Sequence, residues 1–548
     1  MSKKKAIKIS VIDVESDPFE FGLHVKPFAA GHWDGETYTQ FWGDDCIEQL
    51  MKYLATEPEQ IIYAHNGGKF DFFFMLDHID ENLKIINGRI SQATILNGLH
   101  EIRDSYLILP IPLKAHGKKV ISYRKMRKQF REKYKKEILE YLRYDCTSLY
   151  DLVSAFREKY GGGLTLAGAA FSQLKKTGYE VKNTFDNFDS KFREFYFGGR
   201  VECFKTGAFY GEYIYVDIHS AYSFAMISRH WHGSVYSTVK ELPTDDFSYF
   251  ADIDAVSRGA LPLKENGKLI FHNDEIVRRY KVTGWEVQAG LDTGTLDVKE
   301  IHAVYKPLFK SDFCAYVKKF FAEKDAAAKI LEECAREGDK DSDKFWSAKI
   351  AYIFAKLMLN SCYGKFGQDG RKFEEYAITP FGGYPEGEEW KEYSFTETGH
   401  TIFNKPSPSD RFFNVATAAS ITGFVRAHLW RSICTSVEPL YCDTDAIMCK
   451  VFRGEIGDKL GQWGVEARPI EVYIAQKKMY AIKMEDGSTK KACKGVRLKF
   501  NDIKNGVLNK QNVVFKKPSP AFSLKYGARF FTREINFKDV GKKLEINL

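Results

Sequence analysis

The pattern of hydrophobic and polar positions changes along the chain. Residues 8–160 alternate between strand-like and helix-like periods, beginning with a strand predicted over Lys8–Ser16 and ending with a helix over about Glu132–Glu158. Alternating strands and helices of this kind predict an α/β domain. The glycines at 161–163 follow that helix, and a glycine-rich break predicts a domain border at this point.

The rest of the chain shows a mixed α+β pattern. Strands are predicted over Gly211–Asp217 and Pro439–Cys449, and a helix over about Lys344–Tyr363. The Gly/Pro-rich residues between Gly367 and Pro408 favour hairpins or an exposed insertion, with an ordinary loop as the alternative. A chain of 548 residues is too long for one hydrophobic core, so we expect several lobes.

Composition and charge narrow the class of protein. Hydrophobic residues make up 44% of the chain without an apolar run of about 20 residues, which excludes a membrane-spanning protein. The 10 cysteines form no CxxC pair, so reduced thiols are expected rather than a zinc site. The net charge is +8, yet residues 481–548 alone carry 16 Lys/Arg against 6 Asp/Glu. This basic end suits a phosphate backbone as partner, although a lysine-rich surface kept for solubility is the alternative.

Two carboxylates share one face of the first predicted strand. Asp13 and Glu15 alternate with Ile12 and Val14, so both acids point to the same side. Like charges this close repel unless a cation lies between them, and oxygen ligands suit Mg²⁺ or Mn²⁺. A pair of acids on a surface strand is the alternative for this motif alone.

Two later motifs extend the first acidic set. Residues 63–71 end in Asp71, while Tyr141 and Asp145 stand four apart on the predicted helix and therefore on one face. Four acids with a tyrosine can hold two metal ions about 4 Å apart, which activate water for hydrolysis of a phosphodiester.

In this order and spacing, the three motifs resemble Exo I, Exo II and Exo III of the proofreading domain of family B DNA polymerases. The resemblance implies metal binding by Asp13, Glu15, Asp71 and Asp145, and orientation of the attacking water by Tyr141. It also implies that the frayed primer end is held, by stacking on aromatic rings and by polar contacts, at Tyr63, His65, Asn66 and Phe70. Core packing is the alternative for these four residues.

The family also has an exonuclease lysine. Residues 114–136 contain 11 Lys/Arg and one acid, and no spacing selects a single lysine among them. Lys119 and Lys125 are candidates, and a solvated basic face is an equal alternative.

A second acidic set lies on distant predicted strands. Asp217 ends one strand, and Asp443 and Asp445 stand two apart on another. These segments resemble motifs A and C of family B polymerases, with three departures at Ala221, Ser223 and Ala446. The resemblance implies that Asp217 and Asp445 bind two metal ions and that Asp443 supports them. It also implies that Tyr222 lies beneath the incoming sugar and excludes a 2′-OH, with a buried core tyrosine as the alternative.

The pattern K-x3-N-S-x-Y-G is the most specific motif of the chain. Lys356, Asn360 and Tyr363 fall in one stripe of the predicted helix. A cationic and aromatic stripe suits a triphosphate and a base pair better than a core. The motif resembles motif B of the fingers helix in family B polymerases. Lys344, three turns earlier, is a further candidate for the triphosphate or an ordinary surface lysine.

Two shorter motifs fit the same resemblance. Tyr196, Gly198 and Gly199 resemble the YxGG element that coordinates the primer between the two sites, with a simple glycine turn as the alternative. Lys478 and Tyr480 resemble the KxY motif that contacts the primer terminus.

The resemblance implies a multidomain fold of α/β and α+β parts. A ribonuclease H-like 3′→5′ exonuclease domain is expected over 1–160, a linker over 161–194 and a right-hand polymerase domain over 195–548. The expected subdomains are a palm at about 195–265 and 406–480, fingers at about 331–367 and a thumb at about 481–548. The segments at about 266–330 and 368–405 match the two insertions of protein-primed polymerases by position and size.

The sequence therefore predicts a DNA-directed DNA polymerase with a proofreading exonuclease, resembling the protein-primed family B replicases of bacteriophages. Such an enzyme is expected to copy a linear viral genome, with strand displacement, in the cytoplasm of an infected bacterial host. The expected cofactors are Mg²⁺ or Mn²⁺, two ions per active site, and the expected partners are DNA primer-template, dNTPs and a terminal protein, with no membrane. A primer-independent family B polymerase is the alternative, and a nuclease with a nucleic-acid binding module is a more remote one.

Overall fold

The computed structural model describes most of the chain. The described residues are 7–17, 25–112, 121–182, 184–340, 342–396, 399–407, 414–496, 498–510, 513–524, 527–535 and 537. For residues 513–523 and 527–535 the description covers the backbone. No helix in this described part of the chain combines the length and the hydropathy that crossing a membrane requires.

The N-terminal region forms a sheet with flanking helices. Its elements are β1 (Lys8–Ser16), β2 (Pro27–Trp33), β3 (Tyr38–Trp42), α1 (Cys46–Leu54), β4 (Gln60–Ala64), β5 (Ile79–Ile86), β6 (Arg89–Ile95), β7 (His100–Asp104), α2 (Lys128–Arg131) and α3 (Lys135–Tyr160). β1 pairs in parallel with β4 and antiparallel with β2. α3 lies across β1 and β2, because its residues at helical spacing, among them Ile138, Leu142 and Leu149, are apolar and buried.

The remaining elements follow in chain order. They are α4 (Leu166–Lys176), α5 (Asp186–Arg193), β8 (Val201–Cys203), β9 (Gly207–Tyr210), β10 (Ile214–Ile218), α6 (Ala221–Ile227), β11 (His230–Trp231), β12 (Tyr236–Val239), β13 (Phe250–Glu265), β14 (Lys268–Thr283), α7 (Gly284–Asp292), β15 (Leu296–Pro307), β16 (Lys310–Ser311), α8 (Cys314–Glu337) and α9 (Asp343–Ser361). The C-terminal elements are β17 (Glu374–Pro380), β18 (Lys391–Phe395), β19 (His400–Pro406), α10 (Val415–Thr435), β20 (Val437–Asp443), β21 (Ala446–Val451), β22 (Trp463–Ala467), β23 (Pro469–Gln476), β24 (Met479–Met484), β25 (Thr489–Cys493), α11 (Phe500–Asn509), β26 (Val513–Ser523) and β27 (Gly527–Ile535).

A five-stranded sheet in the order β22-β10-β21-β20-β8 carries the second acidic set. A second sheet, in the order β12-β15-β13-β14, combines β14 and β15 of the predicted first insertion with β12 and β13 of the predicted palm. α8 and α9 pack against each other as a helical hairpin. The predicted linker contains α4 and α5, and α4 packs against α9.

The predicted second insertion extends the N-terminal sheet. Strands β17, β18 and β19 join it to give ten strands in the order β18-β19-β17-β5-β6-β7-β4-β1-β2-β3. The junction is antiparallel, with Tyr376 opposite Leu83 and Ala377 opposite Asn82. Ile402 of the insertion lies in the same hydrophobic cluster as Leu83. The insertion and the N-terminal domain therefore share one core.

Two predicted borders fall inside continuous elements, and a third separates the two strands of a hairpin. The 265/266 border lies at the tip of the β13–β14 hairpin, the 330/331 border inside α8 and the 480/481 border inside β24. α8 buries Ala327 and Cys334 on either side of residue 330, so it is one unit. We therefore propose that the fingers begin at Cys314. The border at 160/161 coincides with the end of α3 at Tyr160.

Candidate active sites

Three carboxylates of the first acidic set meet at one point. β1 supplies Asp13 and Glu15, and α3, which crosses that strand, supplies Asp145. Their carboxylate oxygens lie within 4.8 Å of one another. Three acids at this spacing form an all-oxygen donor set, which fits a hard divalent cation.

Asp71 joins this site through the backbone. It begins a 3₁₀ helix after β4, and its carboxylate accepts a hydrogen bond of 3.0 Å from the amide of Val14, between the two acids of β1. Burial raises the pKa of Asp71 to about 7. The structure thus brings all four predicted acids together, with the fourth anchored to the strand that carries the first two.

Tyr141 faces the same acids. Burial, followed by the charges of Asp145 and Glu15, raises the pKa of its phenol well above the ordinary value. The phenol is therefore protonated at neutral pH, and its hydrogen bond with Asp145 holds it beside the carboxylates, where its oxygen can accept a hydrogen bond from a water.

The four residues predicted to hold a primer end separate into two groups. Asn66 and Phe70 are partly exposed, and Asn66 adopts a left-handed conformation with φ of 63°. His65 is partly buried, with its Nε2 2.9 Å from the carbonyl oxygen of Ile111. Tyr63 is only 1% exposed and its hydroxyl accepts a hydrogen bond of 2.7 Å from Arg157. Tyr63 lies in β4 with its ring packed in the core, so its role toward a primer end stays a prediction, with core packing as the alternative.

Of the two candidates for the exonuclease lysine, the structure describes one. Lys125 lies 2.5 Å and 2.7 Å from the two carboxylate oxygens of Glu137, in an exposed ion pair. Lys119 lies outside the described residues.

The second acidic set sits at the ends of paired strands. Asp217 of β10 lies opposite Ala446 of β21, and the amide of Ile218 donates a hydrogen bond of 2.8 Å to the carbonyl oxygen of Asp445. Burial and then the charge of Asp445 raise the pKa of Asp217 to about 7. Burial and then Asp443 raise the pKa of Asp445 to about 6. The pair is therefore costly to ionise without a bound cation, which fits a metal site.

Asp443 is satisfied by the protein itself. Its carboxylate lies 2.6 Å from Nζ of Lys478 and accepts hydrogen bonds from the hydroxyls of Tyr441 and Thr444 at 3.0 Å and 3.2 Å. Asp217 and Asp445 differ in this respect. The charge of Asp445 raises the pKa of Asp217, and the charge of Asp443 raises the pKa of Asp445. The arrangement supports the expected division between two ligands and one supporting acid.

Of the two KxY residues, one faces the acids and the other does not. Lys478 binds Asp443, whereas Tyr480 is 5% exposed and packs in the core under the five-stranded sheet, with its hydroxyl 3.3 Å from that of Tyr215. Contact of Tyr480 with a primer terminus therefore stays a prediction, while Lys478 is the KxY residue that lies at the acids.

The fingers helix brings aromatic and cationic groups to the same place. The rings of Tyr222 and Tyr363 stack with centroids 4.0 Å apart and an interplanar angle of 6°. Lys356 and Asn360 are exposed on α9, and the charge of Lys356 opposes the rise in the pKa of Asp217. Lys344 lies at the other end of α9, with Nζ 3.4 Å from a carboxylate oxygen of Glu333.

The YxGG loop joins the second acidic set to the end of the fingers helix. A Cβ at Gly199 would lie 2.7 Å from Cγ2 of Thr444, so only glycine allows this approach. On the other side, a Cβ at Gly367 would lie 2.6 Å from the hydroxyl of Tyr196. Around Gly198 nothing lies within 4 Å of such a Cβ, so packing does not explain that glycine.

Sequence reasoning missed the arginine that holds this loop. Arg426 of α10 is 2% exposed and donates hydrogen bonds to the carbonyl oxygens of Phe197 and Gly198 at 2.6 Å and 2.8 Å, and to Glu286 at 2.7 Å. The signal was present, since Arg426 lies between the apolar residues Val425 and Ala427 of α10, and a buried charge needs a partner.

A cavity of about 1470 Å³ adjoins the end of the fingers helix. Its walls come from β5 and β6, from the start of α4, from Tyr363 and Lys365 and from the predicted second insertion.

Comparisons with known proteins agree with this architecture. Residues 113–423 match the family described as DNA polymerase type B, organellar and viral. Over 507 residues, the chain is 38% identical to a DNA-directed DNA polymerase of Enterobacteria phage PRD1, covering 91% of this chain and 88% of that relative. Among solved structures, it is similar to Phi29 DNA polymerase complexed with primer-template DNA and incoming nucleotide substrates, with a TM-score of 0.70 at 16% identity over 97% of this chain and 100% of that one. Phi29 DNA polymerase complexed with single-stranded DNA gives the same TM-score at 17% identity. The predicted fold class is confirmed.

Proposed function

The chain belongs to the organellar and viral type B DNA polymerases, and we propose that it copies a linear viral genome from a protein primer and proofreads the product. Its activity is that of a DNA-directed DNA polymerase, and the predicted family is confirmed. The observation that carries the proposal is the presence of two separate clusters of acids, each with carboxyl groups whose pKa burial raises to about 6 or 7.

Polymerases of this family use divalent metal ions, and we propose Mg²⁺ or Mn²⁺, two per site. Asp217 and Asp445 would hold them at one site, and Asp13, Glu15, Asp71 and Asp145 at the other. When bound, the ions supply Lewis acidity that activates the attacking oxygen and stabilises the leaving one. The protein provides the remaining parts, which are orientation, charge and exclusion of the wrong sugar.

At the polymerase site, the Tyr222 ring would form the floor under the incoming deoxyribose, with Tyr363 stacked on it. Lys356 would bind the triphosphate, and Lys344 would join it after leaving Glu333. Lys478 would hold Asp443 in place through their contact at 2.6 Å and would bind the primer terminus. Arg426 would act as a positioning residue that holds the loop of Tyr196, Gly198 and Gly199 between the two sites.

At the exonuclease site, the protonated phenol of Tyr141 would hold the attacking water beside the acids of β1. Asn66 and Phe70, which are partly exposed, would receive the frayed primer end, with His65 behind them. An unpaired terminus reaches this site because unpaired bases cost less to separate than paired ones.

Priming by a terminal protein rests on the two insertions. The first supplies β14, α7 and β15, whose strands form a four-stranded sheet with β12 and β13, and the second extends the N-terminal sheet beside the cavity. We propose that the first receives a terminal protein whose hydroxyl accepts the first nucleotide, and that the second guides the template and supports strand displacement. The expected setting is the cytoplasm of an infected bacterial host, with DNA primer-template and dNTPs as the other partners.

Two mutants test the independence of the sites. Asp13→Ala with Glu15→Ala should abolish degradation of single-stranded DNA and spare synthesis, and Asp445→Ala should do the reverse. Glu140→Ala, an exposed acid on α3, is the matched control and should keep both activities. Joint loss of both activities in a folded variant would refute separate sites.

Primer extension on a singly primed circle tests strand displacement and the exonuclease, and nucleotide attachment to a protein tests the priming mechanism. Product longer than one circumference indicates strand displacement, and shortening of the primer without dNTPs indicates the exonuclease. Attachment of a labelled nucleotide to a co-encoded protein supports protein priming. Synthesis on an unprimed circle without any such protein would favour the primer-independent alternative instead.

A further inference from the structure

We propose that Lys324 of α8 is a second triphosphate-binding residue, which acts together with Lys356 on the incoming nucleotide. No sequence motif marks this lysine. The inference rests on the proposed function, because it assumes that Asp217 and Lys356 face the triphosphate.

The position of Lys324 is set by two helices. α8 packs against both α6 and α9, so a side chain on its inner face reaches the turn that follows Asp217. Nζ of Lys324 lies 3.2 Å from Oγ of Ser220, three residues after that acid. Ser220 has a φ of 56°, in the left-handed region, so its backbone is fixed in a conformation that a non-glycine residue rarely adopts.

Lys324 forms no direct ion pair within the described residues, and the charge of Asp325 offsets only part of the fall in its pKa. Lys324 is partly buried, and within the described ranges no carboxylate lies within 4.0 Å of its ammonium group. Burial, followed by the charge of Lys356, lowers its pKa. A partly buried ammonium group beside a second cation, with only a neutral hydroxyl as hydrogen-bond partner, is unfavourable unless an anion binds between them.

The anion must have several negative charges and must reach Asp217. α6, which follows Asp217 and Ser220, contacts both α8 and α9, so Lys324 and Lys356 lie on the two helices beside that acid. A nucleoside triphosphate meets both requirements. Its phosphate chain would lie between the two lysines, and Lys324 would exchange the Ser220 hydroxyl for a charged oxygen. Lys344 differs because a carboxylate of Glu333 already partners it.

The test compares Lys324→Ala with Lys324→Arg and with Lys318→Ala, an exposed lysine on the same helix. Three quantities are measured on primer-template DNA: KM for dNTP, kcat, and the inhibition constant of inorganic tripolyphosphate, which has neither base nor sugar. Lys324→Ala should raise KM and the inhibition constant together, by about 10- to 100-fold for loss of one charge-assisted contact. Lys324→Arg should recover most of the affinity, and Lys318→Ala should match the wild type.

Exonuclease activity without dNTPs provides the check on folding. Lys324→Ala should degrade single-stranded DNA at the wild-type rate. An unchanged inhibition constant for tripolyphosphate, with wild-type synthesis intact, would overturn the role of Lys324 and leave the proposed function standing. Absence of dNTP incorporation by the wild-type protein would instead overturn the proposed function itself.

Discussion

Neutralising Asp217 should stabilise the metal-free protein while abolishing synthesis. Its pKa rises from 3.8 to about 7, since burial and Asp445 both disfavour the ionised form. In the unfolded chain the carboxyl ionises near its ordinary value, so ionisation opposes folding. Stability should therefore fall as the pH rises from about 4 to about 7 and stay low above that range. Below about pH 4 the group is protonated in both states and contributes nothing.

The magnitude follows from the same values. A rise from 3.8 to about 7 corresponds to an upper limit of about 4 kcal/mol, at about 1.4 kcal/mol per pKa unit. Asp217 is partly exposed, and solvent screening reduces this to about 1–3 kcal/mol. Bound Mg²⁺ should remove most of the penalty, because it neutralises the carboxylate pair.

Thermal unfolding measures the effect. In EDTA at pH 8, Asp217→Asn should melt higher than the wild type, and the difference should shrink at about pH 5.5. Mg²⁺ should stabilise the wild type more than the variant, which keeps its exonuclease. Glu485→Gln, which removes an exposed acid, should change none of these quantities. Equal melting temperatures of Asp217→Asn and wild type in EDTA at pH 8 would contradict the assigned cause of the raised pKa.

Three further changes address other parts of the molecule. Tyr222→Val should admit ribonucleotides, seen as ladders in extension reactions with rNTPs, because the ring stacked on Tyr363 would no longer meet the 2′-OH; unchanged discrimination would exclude this role. Arg426→Ala should lower the free energy of unfolding by about 3–5 kcal/mol, since it leaves buried Glu286 unpaired, and urea titration measures this. Ile402→Ala should cost about 2–5 kcal/mol and make the exonuclease heat-sensitive, whereas Phe395→Ala, 54% exposed on the same insertion, should not; equal heat sensitivity would argue against a shared core.

Local periodicity predicted the elements that carry the acids. β1 spans Lys8–Ser16 as predicted, because its apolar and acidic residues alternate without ambiguity. The predicted helix over about Lys344–Tyr363 is found over Asp343–Ser361, and Tyr363 lies in the tighter turn that follows. The error is confined to the end, where stacking against Tyr222 replaces the helical pattern.

Long-range partners were beyond the reach of the sequence. Nothing in the predicted second insertion indicates that Tyr376 will pair with Leu83, nearly 300 positions earlier, because the apolar faces of strands do not specify which strand they join. The same limit applies to the burial of Tyr63 and Tyr480, which the sequence did not predict. Aromatic residues beside polar motifs are predicted to bind a ligand. Here their strands direct the side chains into hydrophobic cores that distant segments complete.

The geometry of the polymerase site is imposed by its surroundings. Ser220, Thr444 and Lys478 have φ values of 56°, 64° and 60°, each with a side chain that disfavours the left-handed region at a cost of about 1–3 kcal/mol. Each has a fixed partner: Lys324 binds the Ser220 hydroxyl, the carbonyl of Arg200 accepts the Thr444 amide at 2.6 Å, and the Tyr441 hydroxyl accepts the Lys478 amide at 3.2 Å.

Strained turns and repelling carboxylates both oppose folding, so the buried sheet and its arginines must supply the compensating energy. Because these groups stay in place before substrate arrives, the enzyme does not have to reorganise them when a nucleotide and its metal ions bind. This also explains why the acidic motifs could be predicted from the sequence, whereas the residues that hold them in place could not. The reaction requires acidic residues at these positions, whereas many different core sequences can form a scaffold rigid enough to hold them.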